Sequence, residues 1–127
     1  VTAVDEAYDA SGNVVAYVVK GTAVGYNADV PIEMSTTVSA DGTVLVSIDV
    51  LHHEETEYLG DRIATDAFKN QFAARLFPVV ASTSDEAGSP VDLLAGSTIT
   101  SDAVLEAVNN AQAFVAANYA PAEAAAQ

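Results

Sequence analysis

Hydrophobic and polar positions change their period about halfway along the chain. In "VTAVDEAYDASGNVVAYVVKG" two β-rich runs flank Asp9-Ala10-Ser11-Gly12-Asn13, a short polar loop in which Gly12 permits positive φ, so the stretch predicts a hairpin. "PIEMSTTVSADGTVLVSIDVLH" repeats the pattern with Asp41-Gly42 as its turn. In its second strand, alternation places Val44, Val46, Ile48 and Val50 on one face and Ser47 and Asp49 on the other. Between the hairpins, Gly21 and Gly25 weaken strand character and permit close backbone approach.

From Asp61 to Phe77 the period becomes helical. Ile63, Ala64, Ala67, Phe68, Phe72 and Leu76 form a stripe, with Asp66, Lys69, Asn70 and Arg75 outside it, and Pro78 ends the element. "ASTSDEAGSP" reads as loop and "VDLLAG" as a short strand. From about Ser101 a second helical stripe runs through Val104, Leu105, Val108, Ala111 and Val115. Hairpins followed by helices, without strict alternation, predict an α+β fold in which two main helices pack on an antiparallel sheet of hairpins. Residues 1–119 form one expected domain, and the Ala/Pro-rich residues 120–127 read as a linker or tail.

Composition narrows the chemistry. With 127 residues, half of them apolar, the chain can bury one real core. No apolar run is long enough to span a bilayer. The chain opens at Val1 with no cationic, apolar signal segment, so a leader has been removed or the domain belongs to a longer protein. Eighteen acids against four bases give a net charge of −14, which repels nucleic acid and anionic membrane surfaces. The absence of cysteine excludes disulfides, thiolate metal sites, iron–sulfur ligation and a Cys nucleophile, leaving redox work to a bound organic cofactor.

"LHHEETEYLG", residues 51–60, holds both histidines of the chain. A helical zinc site needs histidines at i and i+4, as in H-E-x-x-H, and here the second is missing. If the segment ends a strand, adjacent side chains point to opposite faces and do not converge on one ion. No G-x-S-x-G elbow supports a serine hydrolase. Alone, the decapeptide reads as a strand end with solvated carboxylates and a histidine bonded to backbone.

"AGSTITSDAV" sets Gly96 and four hydroxyls, Ser97, Thr98, Thr100 and Ser101, just before the second helix. Thr100 or Ser101 is the expected N-cap, and the N–H groups of a helix's first turn attract an anion. Phosphate capture and ordinary capping explain this composition about equally well.

Together the two stretches resemble the FMN-binding domain of the RnfG and NqrC subunits of ion-pumping redox complexes. The first family motif, roughly H-x-E-T-P-G-L-G, matches His53-Glu54-Glu55-Thr56-Glu57-Tyr58-Leu59-Gly60. The second, roughly D-x-x-S-G-A-T-x-T-S, matches Asp92-Leu93-Leu94-Ala95-Gly96-Ser97-Thr98-Ile99-Thr100-Ser101. The hairpins upstream and "FKNQF" downstream of the first motif fall in the family's order. Glu57 and Tyr58 replace Pro-Gly, giving a bulkier and less constrained loop; Ala95 stands for a usual Ser and Ser97 for a usual Ala.

The resemblance implies FMN esterified through its phosphate to the hydroxyl of Thr98 by a dedicated flavin transferase. Asp92, Gly96 and Ser97 match the residues that the transferase reads. Thr100 and Ser101 would offer donors to the phosphate. Glu55, Thr56 and Leu59 match positions against the isoalloxazine and Gly60 the close turn beneath it, while Tyr58 would stack on the ring or cover the sheet edge. With so few bases, the phosphate is expected to rely mainly on backbone N–H groups and the helix dipole, at about 0.3–1 kcal/mol each. A carboxylate such as Glu55 near the ring would disfavour anionic reduced flavin and lower its potential.

The implied role is an extracytoplasmic electron carrier, not an enzyme in its own right. It would be tethered to the membrane through other parts of a longer protein, relay electrons between membrane or surface redox partners, and leave room for sister domains. Two rival readings remain open: a flavin reductase domain holding FMN non-covalently, and an acidic adhesive domain without flavin.

Overall fold

The computed structural model describes residues 2–25, 27, 29–55, 60–85, 87–94 and 97–119. Thr56, Glu57, Tyr58, Leu59, Ala95, Gly96 and residues 120–127 lie outside that description, including four positions to which the resemblance assigns contacts and the expected tail.

A five-stranded antiparallel meander forms the base. β1 (Ala3–Tyr8), β2 (Val14–Ala23), β3 (Ile32–Ser39), β4 (Val44–His52) and β5 (Arg75–Leu76) lie side by side in chain order. Gly12 and Gly42, with φ of 84° and 78°, close the two hairpins at the expected turns. At the second turn, Asp41 accepts from the hydroxyls of Ser39 and Thr43 and from Thr43 N–H. These bonds, the Ser39 hydroxyl first, hold the Asp41 carboxyl below its ordinary pKa. Their support for the turn is therefore present at neutral pH and lost as pH falls through that lowered value.

Alternation alone misassigns part of β4. Met34, Thr36 and Val38 face inward on β3, opposite Val50, Ile48 and Leu45. Between Ser47 and Leu45 the register skips Val46, so Leu45 is fully buried and Val46 is 42% exposed. The expected face of Val44, Val46, Ile48 and Val50 is thus broken by a β-bulge, which shifts the phase of the strand by one residue. Val15 and Leu51 are likewise skipped and exposed. The bulge at Leu51 sits immediately before the histidine-glutamate stretch.

The expected helix over 61–77 is three short pieces. A 3₁₀ turn spans Gly60–Ala64, α1 covers Asp66–Lys69, and a second 3₁₀ turn covers Asn70–Phe72. Thr65, with ψ at 150°, interrupts the first two, and its hydroxyl accepts from Phe68 N–H. Ala73 is extended and Ala74 has φ of 55°, so the chain turns into β5 before Pro78, which follows a cis peptide bond. Half of the helical stripe survives the breaks: Ile63, Phe68 and Phe72 are buried, whereas Ala64, Ala67 and Leu76 are exposed.

A small parallel pair, β6 (Val79–Ala81) and β7 (Ser89–Val91), follows. The expected strand in "VDLLAG" reaches no further than Val91. The long helix α2 (Thr98–Asn118) then crosses β2, β3 and β6. Val104, Leu105, Val108, Ala111 and Val115 are all buried, as their spacing requires. The larger core gathers Phe68, Phe72, Ile63 and Val104 over β3 and β4, and a smaller one packs Ala111 and Val115 on Tyr17, Val19 and Val38.

Asn109 ties α2 to β6 edge-on. Its Oδ1 accepts from Val79 N–H at 3.0 Å and its Nδ2 donates to Val79 O at 2.8 Å. Because Val79 is buried, Asn109→Ala leaves two backbone groups without partners and is expected to cost about 1–3 kcal/mol. Urea titration checks this; an unchanged midpoint would show that water replaces the amide. No helix among the described residues is long and apolar enough to cross a membrane.

Candidate functional site

The two stretches singled out in the sequence meet at the mouth of α2. After β4, the chain turns so that Glu55 points inward, with only 8% of its surface exposed. Its Oε1 accepts from Thr100 Oγ1 at 2.6 Å, and its Oε2 accepts from Asn27 N–H at 3.2 Å. Asn27 Nδ2 donates in turn to Glu54 O at 2.9 Å. Glu55 N–H donates to His53 Nδ1 at 3.2 Å, so that ring carries its proton on Nε2 when the bond is made. His52 and Glu54 are exposed. The histidine bonded to backbone and the solvated Glu54 fit an ordinary strand end, and the buried Glu55 does not.

Gly25 makes this packing possible. A Cβ built there would lie 2.5 Å from Glu55 Oε1 and 2.9 Å from Ile32 Cδ1. The carboxylate is buried and bonded on both oxygens, so it cannot swing aside cheaply. Gly25→Ala is expected to destabilise the fold by about 1–3 kcal/mol. Thermal unfolding measures it, and a variant as stable as the parent would mean that Glu55 is free to move.

The helix starts earlier than its apolar stripe indicates. Thr98 is its first residue and Ser97 its N-cap, in place of the expected Thr100 or Ser101. The reason is polar: Thr100 and Ser101 are themselves buried in the first turn, where an apolar period does not register them. Ser97 makes no side-chain capping bond. Its hydroxyl instead accepts from Arg62 Nη2 at 3.5 Å, while its carbonyl accepts from Ser101 N–H at 3.1 Å and Ser101 Oγ at 2.8 Å. Ser101 Oγ also accepts from Leu94 N–H at 3.3 Å, stapling the preceding loop to the helix. Ser97, Thr100 and Ser101 are buried, and Thr98 alone of the four hydroxyl residues is exposed. Although the chain has eighteen acids, none lies in the first turn of α2.

Asp92 is exposed, and its backbone is held by Gln71, whose Oε1 accepts from Asp92 N–H at 2.8 Å and whose Nε2 donates to Asp92 O at 3.1 Å. Gly60 opens the 3₁₀ turn that carries Arg62. Thr56, Tyr58, Leu59 and Gly96 lie outside the described residues. The motifs do not point to Asn27, Arg62 or Gln71. Arg62 carries one sequence signal: it is among only four bases, two residues after the first motif. Asn27 and Gln71 act through backbone groups distant in sequence and carry none.

The family model described as the FMN-binding domain matches residues 25–113, which include both motifs. The chain belongs to the FMN-binding domain family.

It is 38% identical over 109 residues to the G subunit of the ion-translocating oxidoreductase complex of Methanosarcina acetivorans, covering 86% of this chain and 56% of that protein. It is 37% identical over 103 residues to the G subunit of the Na(+)-translocating ferredoxin:NAD(+) oxidoreductase complex of Acetobacterium woodii, covering 78% and 48%. The FMN-binding domain thus spans about half the length of these curated relatives. Among solved structures, NqrC of Shewanella oneidensis superposes with a TM-score of 0.70 at 21% identity, covering 84% of this chain and 52% of that one, a likeness of fold. The C subunit of the Na(+)-translocating NADH-quinone reductase of Parabacteroides distasonis gives 0.64 at 28% identity, covering 80% and 55%. FMN is accordingly the cofactor of this domain, and the domain is a flavoprotein module.

Proposed function

We propose that this domain carries FMN as a phosphoester on Thr98 and relays electrons within a membrane-bound, ion-translocating redox complex. The observation that carries the reading is the orientation of the four hydroxyls: three are turned into the protein and Thr98 faces out. A hydroxyl that an external transferase modifies must be exposed, and its neighbours must not compete.

The residues present fit the phosphate. Thr98 opens a 21-residue helix whose first turn contributes no acid of its own, the Glu55 carboxylate that meets this turn is bonded to the buried Thr100 hydroxyl, and Arg62 reaches the adjoining Ser97 hydroxyl. The ester forms when the Thr98 oxygen bonds the flavin-bearing phosphorus of an activated flavin nucleotide, the bond from that phosphorus to its leaving group breaks, and the hydroxyl proton passes to a base. Asp92, Gly96 and Ser97 form the sequence context read by the flavin transferase. Glu55, Thr56, Tyr58, Leu59 and Gly60 adjoin the ring, and Thr100 and Ser101 hold the helix mouth on which it hangs.

FMN supplies one- and two-electron redox capacity. Covalent attachment makes retention independent of surrounding FMN, which suits a domain working outside the cytoplasm and tethered by other parts of its protein. Residues 1–119 would constitute the functional unit, with 120–127 as a tail. The naming of the relatives as subunits of ion-translocating oxidoreductase complexes supports membrane redox partners.

The test is a spectrum after co-expression with a flavin transferase, taken before and after denaturation and filtration. Flavin absorbance that stays with the denatured chain supports the proposal. Absorbance that passes the filter indicates the non-covalent reductase-type reading, and a colourless protein refutes flavin carriage.

A further inference from the structure

We infer that the groove between α2 and β6 is the docking site for a lysine- or arginine-bearing surface of the protein that exchanges electrons with this domain. The kind of partner rests on the proposed electron relay, and the place of docking rests on the groove alone. The groove has a volume of about 340 Å³. Buried Val80 and Leu105 form the apolar part of its wall, and exposed Asp102 and Glu106 the charged part. Asn109 also lines it, with both ends of its amide already bonded to Val79.

The fold has no evident use for these two acids. They stand four residues apart on the exposed face of α2, where like charges are neighbours and repel. Neither lies in the first turn, where the helix dipole would favour it. The four bases of the chain are engaged elsewhere: Lys20 with Asp5, Lys69 with Asp49 and Asp66, Arg62 with the Ser97 hydroxyl, and Arg75 with Gln71 O. Among the described residues, no ion pair includes Asp102 or Glu106. A repulsive pair kept beside an apolar wall fits a cation from outside. A lysine or arginine matches both parts of the groove, its stem lying on Val80 and Leu105 and its head between the carboxylates. A second copy of this chain, with its net charge of −14, brings like charge to like and does not match.

The groove also lies where a relay needs it. Thr98, Asp102 and Glu106 form one row along α2 at four-residue spacing. At 1.5 Å per residue the two acids stand about 6 and 12 Å along the axis from the anchor. A partner seated there is held beside the flavin. A small charged contact of this kind favours fast encounter and ready release, as electron exchange requires.

Cytochrome c, a haem protein ringed by lysines, is the probe. It is titrated at low ionic strength into the isotope-labelled domain, with and without covalent flavin, and the amide resonances are followed. The shifts are expected to centre on Val80, Ala81, Asp102, Leu105 and Glu106 in both forms. Asp102→Asn combined with Glu106→Gln should raise Kd by about fivefold. Asp5→Asn combined with Glu33→Gln makes the same charge change on the edge strand β1 and on the face of β3 turned away from α2, and should stay within about twofold of the parent. The groove variant should melt no lower than the parent, since a repulsive pair has been removed.

Shifts spread over the whole acidic surface, or equal weakening by the two double variants, overturn the inference. Shifts seen only in the flavin-free form place the ring itself in the groove and overturn it too. A groove variant that melts well below the parent assigns the acids to the fold, with the same consequence. A parent that acquires no flavin refutes the phosphoester, a distinct result, and the flavin-free titration still decides where a basic protein docks.

Discussion

A Thr98→Val chain is expected to fold as the parent does and to retain no flavin after denaturation. Valine keeps the branched shape of threonine and removes only the oxygen. Thr98 is exposed at the first position of α2, and its hydroxyl is not the helix cap, which falls at Ser97. Substitutions at such positions usually change stability by no more than about 0.5 kcal/mol. The loss should therefore be confined to the adduct, and it should be complete because three of the four hydroxyls are buried. Absorbance of the denatured, filtered protein reads the first effect and thermal unfolding the second. Full-strength absorbance in the variant would place the ester elsewhere.

The second large effect is in the core. Phe72 is fully buried and meets the ring of Phe68 edge-on, with centroids 5.3 Å apart. Phe72→Ala is expected to cost about 3–5 kcal/mol, from lost apolar burial and the cavity left behind. For a domain of this size that corresponds to a fall in Tm of roughly 10–20 °C. Its neighbour Gln71 holds the backbone of Asp92, so the same variant should loosen the loop that leads to the anchor. A melting temperature within a few degrees of the parent would show that this pair is peripheral to the core.

Some of this is legible in the sequence, and the reasons for the rest are physical. Both hairpins are readable because Gly12 and Gly42 occupy left-handed turn positions that few other residues adopt. The stripe from Val104 to Val115 is readable because α2 buries one face along its length. The bulges at Val15, Val46 and Leu51 are not, since skipping a residue leaves alternation intact on either side and changes only its phase. The helix expected over 61–77 breaks at Thr65 and Ala73, neither of which is a glycine or proline that marks a break.

The candidate site divides in the same way. The motifs bring attention to Glu55, Ser97, Thr98, Thr100 and Ser101, and the fold brings these residues to one helix mouth. That Glu55 binds Thr100, that Ser97 meets Arg62, and that Gly25 must lack a side chain depend on contacts spanning 28 to 45 residues. No local pattern encodes them. The polar first turn of α2 also explains why the apolar stripe places the start of the helix too late.

Peptide mass mapping of the unmutated protein, co-expressed with a flavin transferase, tests the central claim most directly. The account predicts the mass of one FMN less one water on the peptide bearing Thr98, with the fragment series placing it on that residue. A bare Thr98, with flavin dissociable or attached elsewhere, would contradict it.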